Sequence, residues 1–147
     1  MKSIPPAQNN RVRSLRELAI KHQNGCTVRR SYKRALEYWR EAAALRDPVG
    51  LYSFGTFLEY GVCIPKDERE AYRLYRESLR LAPEYSKALY AVGACLLEGV
   101  GVRRNAPRAR KLIERAAELG STEARTAMKR CFGVHTRAGK RPKAIAT

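Results

Sequence analysis

Three observations predict an all-α chain of stacked antiparallel helix pairs. A loop opening on glycine recurs three times at a near-constant period. Each loop ends in a residue suited to cap a helix, and each cap is followed by the same apolar stripe at helical spacing. The period carries the most weight, because a recurrence of about 20–50 residues specifies an array of supersecondary units, each too small to bury its own apolar face.

The loops are Gly25-Cys26-Thr27-Val28-Arg29-Arg30-Ser31, Gly61-Val62-Cys63-Ile64-Pro65-Lys66-Asp67 and Gly99-Val100-Gly101-Val102-Arg103-Arg104-Asn105, with opening glycines 36 and then 38 residues apart. Each closes on Ser, Asp or Asn, whose side-chain oxygen can accept from an orphan N–H at a helix start. Gly25, Gly61 and Gly99 stand where a preceding helix would end in the left-handed conformation. The unit is therefore helix stop, loop, helix start.

After each cap the sequence predicts a B helix. Its stripe is Ala35, Tyr38, Trp39, Ala42 and Ala43 in the first copy. The second copy has Ala71, Leu74, Tyr75, Ser78 and Leu79, and the third Ala109, Leu112, Ile113, Ala116 and Ala117. The spacing i, i+3, i+4, i+7, i+8 marks one buried helical face. Before each loop an A helix is expected, with inward positions Leu15, Leu18, Ala19, His22, then Leu51, Phe54, Gly55, Leu58, then Leu89, Val92, Gly93, Leu96. Glycine inside a helix costs about 1 kcal/mol relative to alanine. Gly55 and Gly93 at one register therefore imply a tight crossing, with Ala35, Ala71 and Ala109 as the facing small surface. A fourth A-like segment, Thr122 to about Phe132, closes the array. There Arg125 and Lys129 replace the apolar residue and the glycine, as suits a terminal cap. These elements divide the chain into a flexible segment at 1–10, the repeat array at 11–133, and a basic tail at 134–147 expected to be disordered.

The chain has 147 residues, 44% apolar and 30% charged, enough to bury one core or a short array. Lysine and arginine number 30 against 14 acids, a net charge of +16. The excess is uneven: +6 over residues 1–30, +1 over 31–66, +1 over 67–104 and +8 over 105–147. A chain that tracked a phosphate backbone along its whole length would be basic throughout. Basic ends on a neutral middle instead suit a protein-binding scaffold that favours acidic or nucleic-acid-containing partners. A component of a ribonucleoprotein or ribosome-like assembly is the alternative. No stretch reaches the roughly 20 apolar residues of a membrane span, and Met1 to Asn10 lacks the apolar core of a secretory signal. Cys26, Cys63, Cys95 and Cys131 are too widely spaced for a zinc clip, so reduced packing thiols are expected. The setting expected is intracellular, cytoplasmic first with a mitochondrial alternative, and not secreted.

These features resemble the Sel1-like repeat family, relatives of the tetratricopeptide solenoids. Ala88, Val92-Gly93, Gly99-Val100-Gly101-Val102, Asn105, Ala109 and Ala116-Ala117 carry the likeness, and Phe54-Gly55, Gly61, Asp67, Ala71 and Tyr75 repeat it one unit earlier. Ala35, Trp39 and Ala42-Ala43 match the B half of the first unit. The family pattern departs at Cys63, which takes a glycine position, and at His22, Leu58 and Leu96, where tyrosine is preferred. The resemblance implies a right-handed solenoid that binds proteins or peptides, with A helices lining the contact surface. It also sets aside the secreted, disulfide-clipped branch, because Ala43, Gly50, Ala117 and Ala124 occupy the matching positions.

Candidate partner contacts are Arg16, Tyr52 and Tyr90 at one A-helix register, Arg29, Arg30, Arg103 and Arg104 in the loops, and Arg125 and Lys129 on the closing helix. Arginine and tyrosine are the residue types that anchor interfaces. No catalytic residue, cofactor, metal or small-molecule substrate is expected. The two histidines, His22 and His135, fall on a helix face and in the tail, and no hydrolase, zinc or P-loop motif occurs.

Overall fold

The structure, a computed structural model, describes residues 6–133. The described residues form seven helices and no strand: α1 (Pro6–Asn24), α2 (Tyr32–Ala44), α3 (Pro48–Tyr60), α4 (Glu68–Leu81), α5 (Ser86–Glu98), α6 (Ala106–Glu118) and α7 (Thr122–Phe132). The odd-numbered helices are the A elements and α2, α4 and α6 the B elements. Helix α1 begins five residues ahead of the boundary expected at residue 11, since proline is tolerated in a first helical turn. The expectations for residues 1–5 and for the tail at 134–147, His135 included, lie outside the described residues.

Local chemistry explains where the helices start and stop. Ser31, Asp67 and Asn105 cap the B helices, their side-chain oxygens accepting from the N–H groups of Arg34, Glu70 and Arg108 at 3.3, 3.0 and 3.1 Å. Gly25, Gly61 and Gly99 close the A helices at φ of 71°, 66° and 80°. The N–H of each cap residue then donates back to the A helix, Ser31 to His22, Asp67 to Leu58 and Asn105 to Leu96, at 2.8, 3.0 and 2.8 Å. Two caps escaped the repeat reading: Asp47 accepts from the Gly50 N–H at 2.8 Å, and Ser121 from that of Ala124 at 3.1 Å.

The helices fall into two compact units, α1–α4 within residues 1–83 and α5–α7 within 84–147. In the first, Ala19, Ala35, Leu36, Trp39 and Phe57 form a buried cluster flanked by Tyr38, Val49, Phe54, Val62 and Ile64. The second buries Val92, Leu96, Ile113, Ala116 and Met128. Tight crossings recur at the glycines. A Cβ on Gly55 would lie 2.7 Å from the Tyr75 ring and 3.4 Å from the Ala71 carbonyl. On Gly93 it would lie 2.6 Å from Ile113 and 3.3 Å from the Ala109 carbonyl. The two B-helix aromatics at this register carry polar tips, and each finds a partner two residues before the loop glycine. Trp39 Nε1 donates to Gln23 at 3.1 Å and Tyr75 donates to Glu59. The third repeat replaces both partners with apolar residues, Ile113 and Leu97.

An ion pair also recurs between each B helix and the A helix before it or the turn leading into that A helix. Arg11 meets Glu41, Arg46 meets Glu77 at 3.0 Å, and Glu84 meets Arg115 at 2.8 Å, the last with its polarity reversed.

Two core expectations are corrected. Leu18 is 38% exposed, because the buried face of α1 runs through Val12, Leu15, Ala19 and His22 and leaves Leu18 on its flank. Only Cys95 is a buried thiol, whereas Cys26, Cys63 and Cys131 are exposed. Cys63 lies in a loop at φ 57°, where the third repeat has Gly101 at 66°.

Alanine normally outranks glycine in a helix, yet a Cβ on Gly50 would lie 2.6 Å from the Ala42 Cβ and 2.8 Å from backbone atoms of Ala42 and Ala43. Gly50→Ala is therefore expected to destabilise by about 1–3 kcal/mol, read as a lower midpoint in thermal unfolding followed by circular dichroism. His22 is buried, stacks on Tyr38, and leaves Nδ1 without a partner among the described residues. Leucine fills this register in the other repeats, so His22→Leu should raise stability by about 1 kcal/mol. A fall in midpoint would mean that the Tyr38 contact outweighs the orphaned nitrogen.

Candidate functional site

Helices α2, α3 and α4 line an open groove of about 440 Å³. Helical spacing aims the lining residues into it: Arg40, Ala43 and Ala44 from the last turns of α2, Leu51 and Phe54 from α3, and Glu70, Arg73, Leu74 and Glu77 from α4. Leu51 and Leu74 are buried and make an apolar floor with Phe54. Arg46 reaches across from the α2–α3 turn to Glu77. Arg73 holds the Glu70 carboxyl below the usual carboxylate range by hydrogen bonding, and Arg80 does the same for Glu77. Both rim acids therefore stay ionised and paired at neutral pH. Arg40 lies with its guanidinium 5.4 Å from the Phe54 ring centroid and has no carboxylate partner among the described residues. The groove thus offers an apolar floor beside one uncompensated cation. Sequence reasoning missed it, because its walls come from three helices whose lateral packing a repeat pattern does not specify.

The residues expected to contact partners are distributed over both units. Arg16 is committed to packing: its Nε donates to the Asp47 carboxylate at 2.8 Å, and a second guanidinium nitrogen pairs with the other oxygen. Asp47 is 2% exposed and also caps α3, so this pair clasps α1 to the start of α3. Tyr52 lies against Tyr75 with ring centroids 5.6 Å apart. Tyr90 is half-buried, and burial raises its hydroxyl above the usual phenol range while Arg130 pulls the other way. Arg29, Arg30, Arg103 and Arg104 are exposed in the loops before α2 and α6, whereas Lys66, at the matching place before α4, is paired with Glu68 at 2.7 Å. Arg125 donates to the Gly120 carbonyl at 3.1 Å and leaves its Nε buried without a partner among the described residues; Lys129 is exposed. Among the described residues no group of three His, Cys, Asp or Glu could hold a metal, and no helix is long and apolar enough to cross a membrane.

The Sel1 repeat model matches residues 12–47, 48–82 and 86–121. No curated protein matches the chain by sequence. Among solved structures, a Sel1 repeat protein from Oxalobacter formigenes superposes with a TM-score of 0.68 at 23% identity, covering 83% of this chain and 91% of that one. The antigen c5321 of uropathogenic Escherichia coli strains gives 0.72 at 22% identity over 88% of this chain, which spans 28% of that longer one. Cysteine-rich protein B of Helicobacter pylori gives 0.60 at 22% identity, with 84% and 96% covered. At these identities the likeness establishes an α-solenoid fold and nothing finer.

Removing the guanidinium of Arg16 strands a buried carboxylate. Arg16→Gln is expected to cost about 1–3 kcal/mol, measured by urea unfolding, with an unchanged circular dichroism spectrum below the transition.

Proposed function

The chain belongs to the Sel1-repeat family, and from that premise we propose that it acts as a non-catalytic adaptor holding another protein on its helical surface. Proteins of this family are in general protein-interaction scaffolds. The observation that carries the reading is the groove of the first unit, with its apolar floor and the uncompensated Arg40. A short acidic segment fits it best. An apolar side chain would cover Leu51, Phe54 and Leu74, while a neighbouring carboxylate meets Arg40; desolvated arginine and aromatic contacts of this kind concentrate binding energy. The charge excess at both ends of the sequence would speed encounter with acidic or nucleic-acid-containing partners rather than add much affinity. An intracellular setting, cytoplasmic or mitochondrial, belongs to the same reading.

A photo-crosslinking residue at Ala44, on the groove rim, tests it in native cells. One discrete protein adduct is expected, with a yield that Arg40→Glu lowers about tenfold, the equivalent of ~1.4 kcal/mol. Absence of a protein adduct, or a yield indifferent to Arg40→Glu, contradicts the groove reading. Association with the captured partner should slow as salt rises to about 0.5 M, where exposed charges are screened; a salt-independent rate contradicts the steering role.

A further inference from the structure

Among the described residues, positive charge is least compensated where α6 begins. Residues 103–111 read Arg-Arg-Asn-Ala-Pro-Arg-Ala-Arg-Lys, five cations without an acid. All five are exposed, and none forms an ion pair with the described residues. Arg115, one turn further along, behaves otherwise and takes both Glu84 at 2.8 Å and Glu118 at 3.1 Å. Arg110 turns aside, its guanidinium 5.6 Å from the Phe132 ring centroid. Arg108 and Lys111 share one outward face of the helix at i, i+3 spacing, with Arg103 and Arg104 directly before it.

The repeat does not require this charge. One unit earlier the equivalent residues, 65–73, build the same cap and helix start with Asp67, Glu68 and Glu70 among the bases. There Lys66 pairs with Glu68 and Arg73 with Glu70. Like charges at i, i+3 or i+4 oppose helix formation, so the row on α6 is a cost in the free protein that a polyanion would relieve. Protein interfaces are organised around aromatic or aliphatic anchors, and no aromatic residue lies in 103–111. Cations about one helical turn apart, ~5 Å, instead suit a ligand that repeats its negative charge at short intervals.

We propose that the outward face of α6, through Arg103, Arg104, Arg108 and Lys111, binds the sugar–phosphate backbone of a nucleic acid. With no aromatic residue within 103–111 and the Phe132 ring already covered by Arg110, bases are neither stacked nor read, and binding is insensitive to sequence. This deepens the part of the functional reading that concerns anionic partners and is independent of the groove on the first unit.

The test uses the full chain and a fluorescein-labelled, uridine-rich RNA of about 20 nucleotides, titrated by anisotropy between about 50 and 200 mM salt. The triple variant Arg104→Glu, Arg108→Glu, Lys111→Glu is expected to raise Kd at least about tenfold. It should also flatten the log Kd against log salt slope by about 2, since each single-strand phosphate contact contributes ~0.7. A carboxylate at 108 complements the start of α6, so the thermal midpoint should hold. The matching glutamine variant should weaken binding in the same direction, which separates lost contacts from repulsion. An unchanged Kd and slope in the triple variant overturns the proposal, as does a parent chain that fails to bind at about 50 mM salt. Displacement of the RNA by an equal concentration of a polyglutamate peptide of similar length would overturn it too, in favour of an acidic protein. An Ala44 crosslink that survives in the triple variant while RNA binding is lost separates this inference from the groove reading.

Discussion

The fold rests on how closely an A helix can approach its B helix. Close-packed interiors leave no room for an added methyl, and here the contact is set by residues with little or no side chain. Gly55 lies against Tyr75 and Ala71, and Gly93 against Ile113 and Ala109. The alanines opposite, Ala71 and Ala109, are almost wholly buried, as is Ala35 in the first repeat. Once that separation is set, the large residue beside each crossing has a defined volume to fill. Trp39, Tyr75 and Ile113 fill it in three ways, the first two bringing a polar tip that Gln23 and Glu59 satisfy. A buried donor without a partner is costly, and the third repeat avoids the demand by having no polar atom at either place.

Most of this was legible in the sequence because the signals are local and occur three times. The caps Ser31, Asp67 and Asn105, the closing glycines and the B-helix stripes all depend on residues within one turn of each other. Asp47 and Ser121 were equally local, Asp47 followed by proline at the first helical position, but they lay outside the repeated loop and drew no attention. Leu18 was misplaced because Leu15 and Leu18 lie only about 60° apart around the helix, and only the packed partner distinguishes them. The exposed thiols were misread for a related reason: wide spacing rules out a zinc clip but says nothing about whether a helix covers Cys26, Cys63 or Cys131.

The candidate site was much less legible. Arg16 shares a register with Tyr52 and Tyr90, which suggested a common role, yet its guanidinium is spent on Asp47, 31 residues away. An ion pair across two repeats leaves no mark in a single sequence. The groove between α2, α3 and α4 has the same character, since Arg40, Phe54 and Leu74 become neighbours only through lateral packing. The charge profile, by contrast, was readable as totals, and the structure adds which cations have partners. Near the start of α4 acids neutralise the bases, whereas at the start of α6 they do not.

The recurring hairpin ion pair reverses direction between the second repeat and the third: arginine then glutamate in Arg46–Glu77, glutamate then arginine in Glu84–Arg115. Each exposed pair adds little to stability alone. Paired across repeats instead, Arg46 would confront Arg115 and Glu84 would face Glu77. Repeats built on similar glycine and alanine contacts are prone to exchanging elements. The inverted bridge would therefore add a small like-charge penalty to such an exchange.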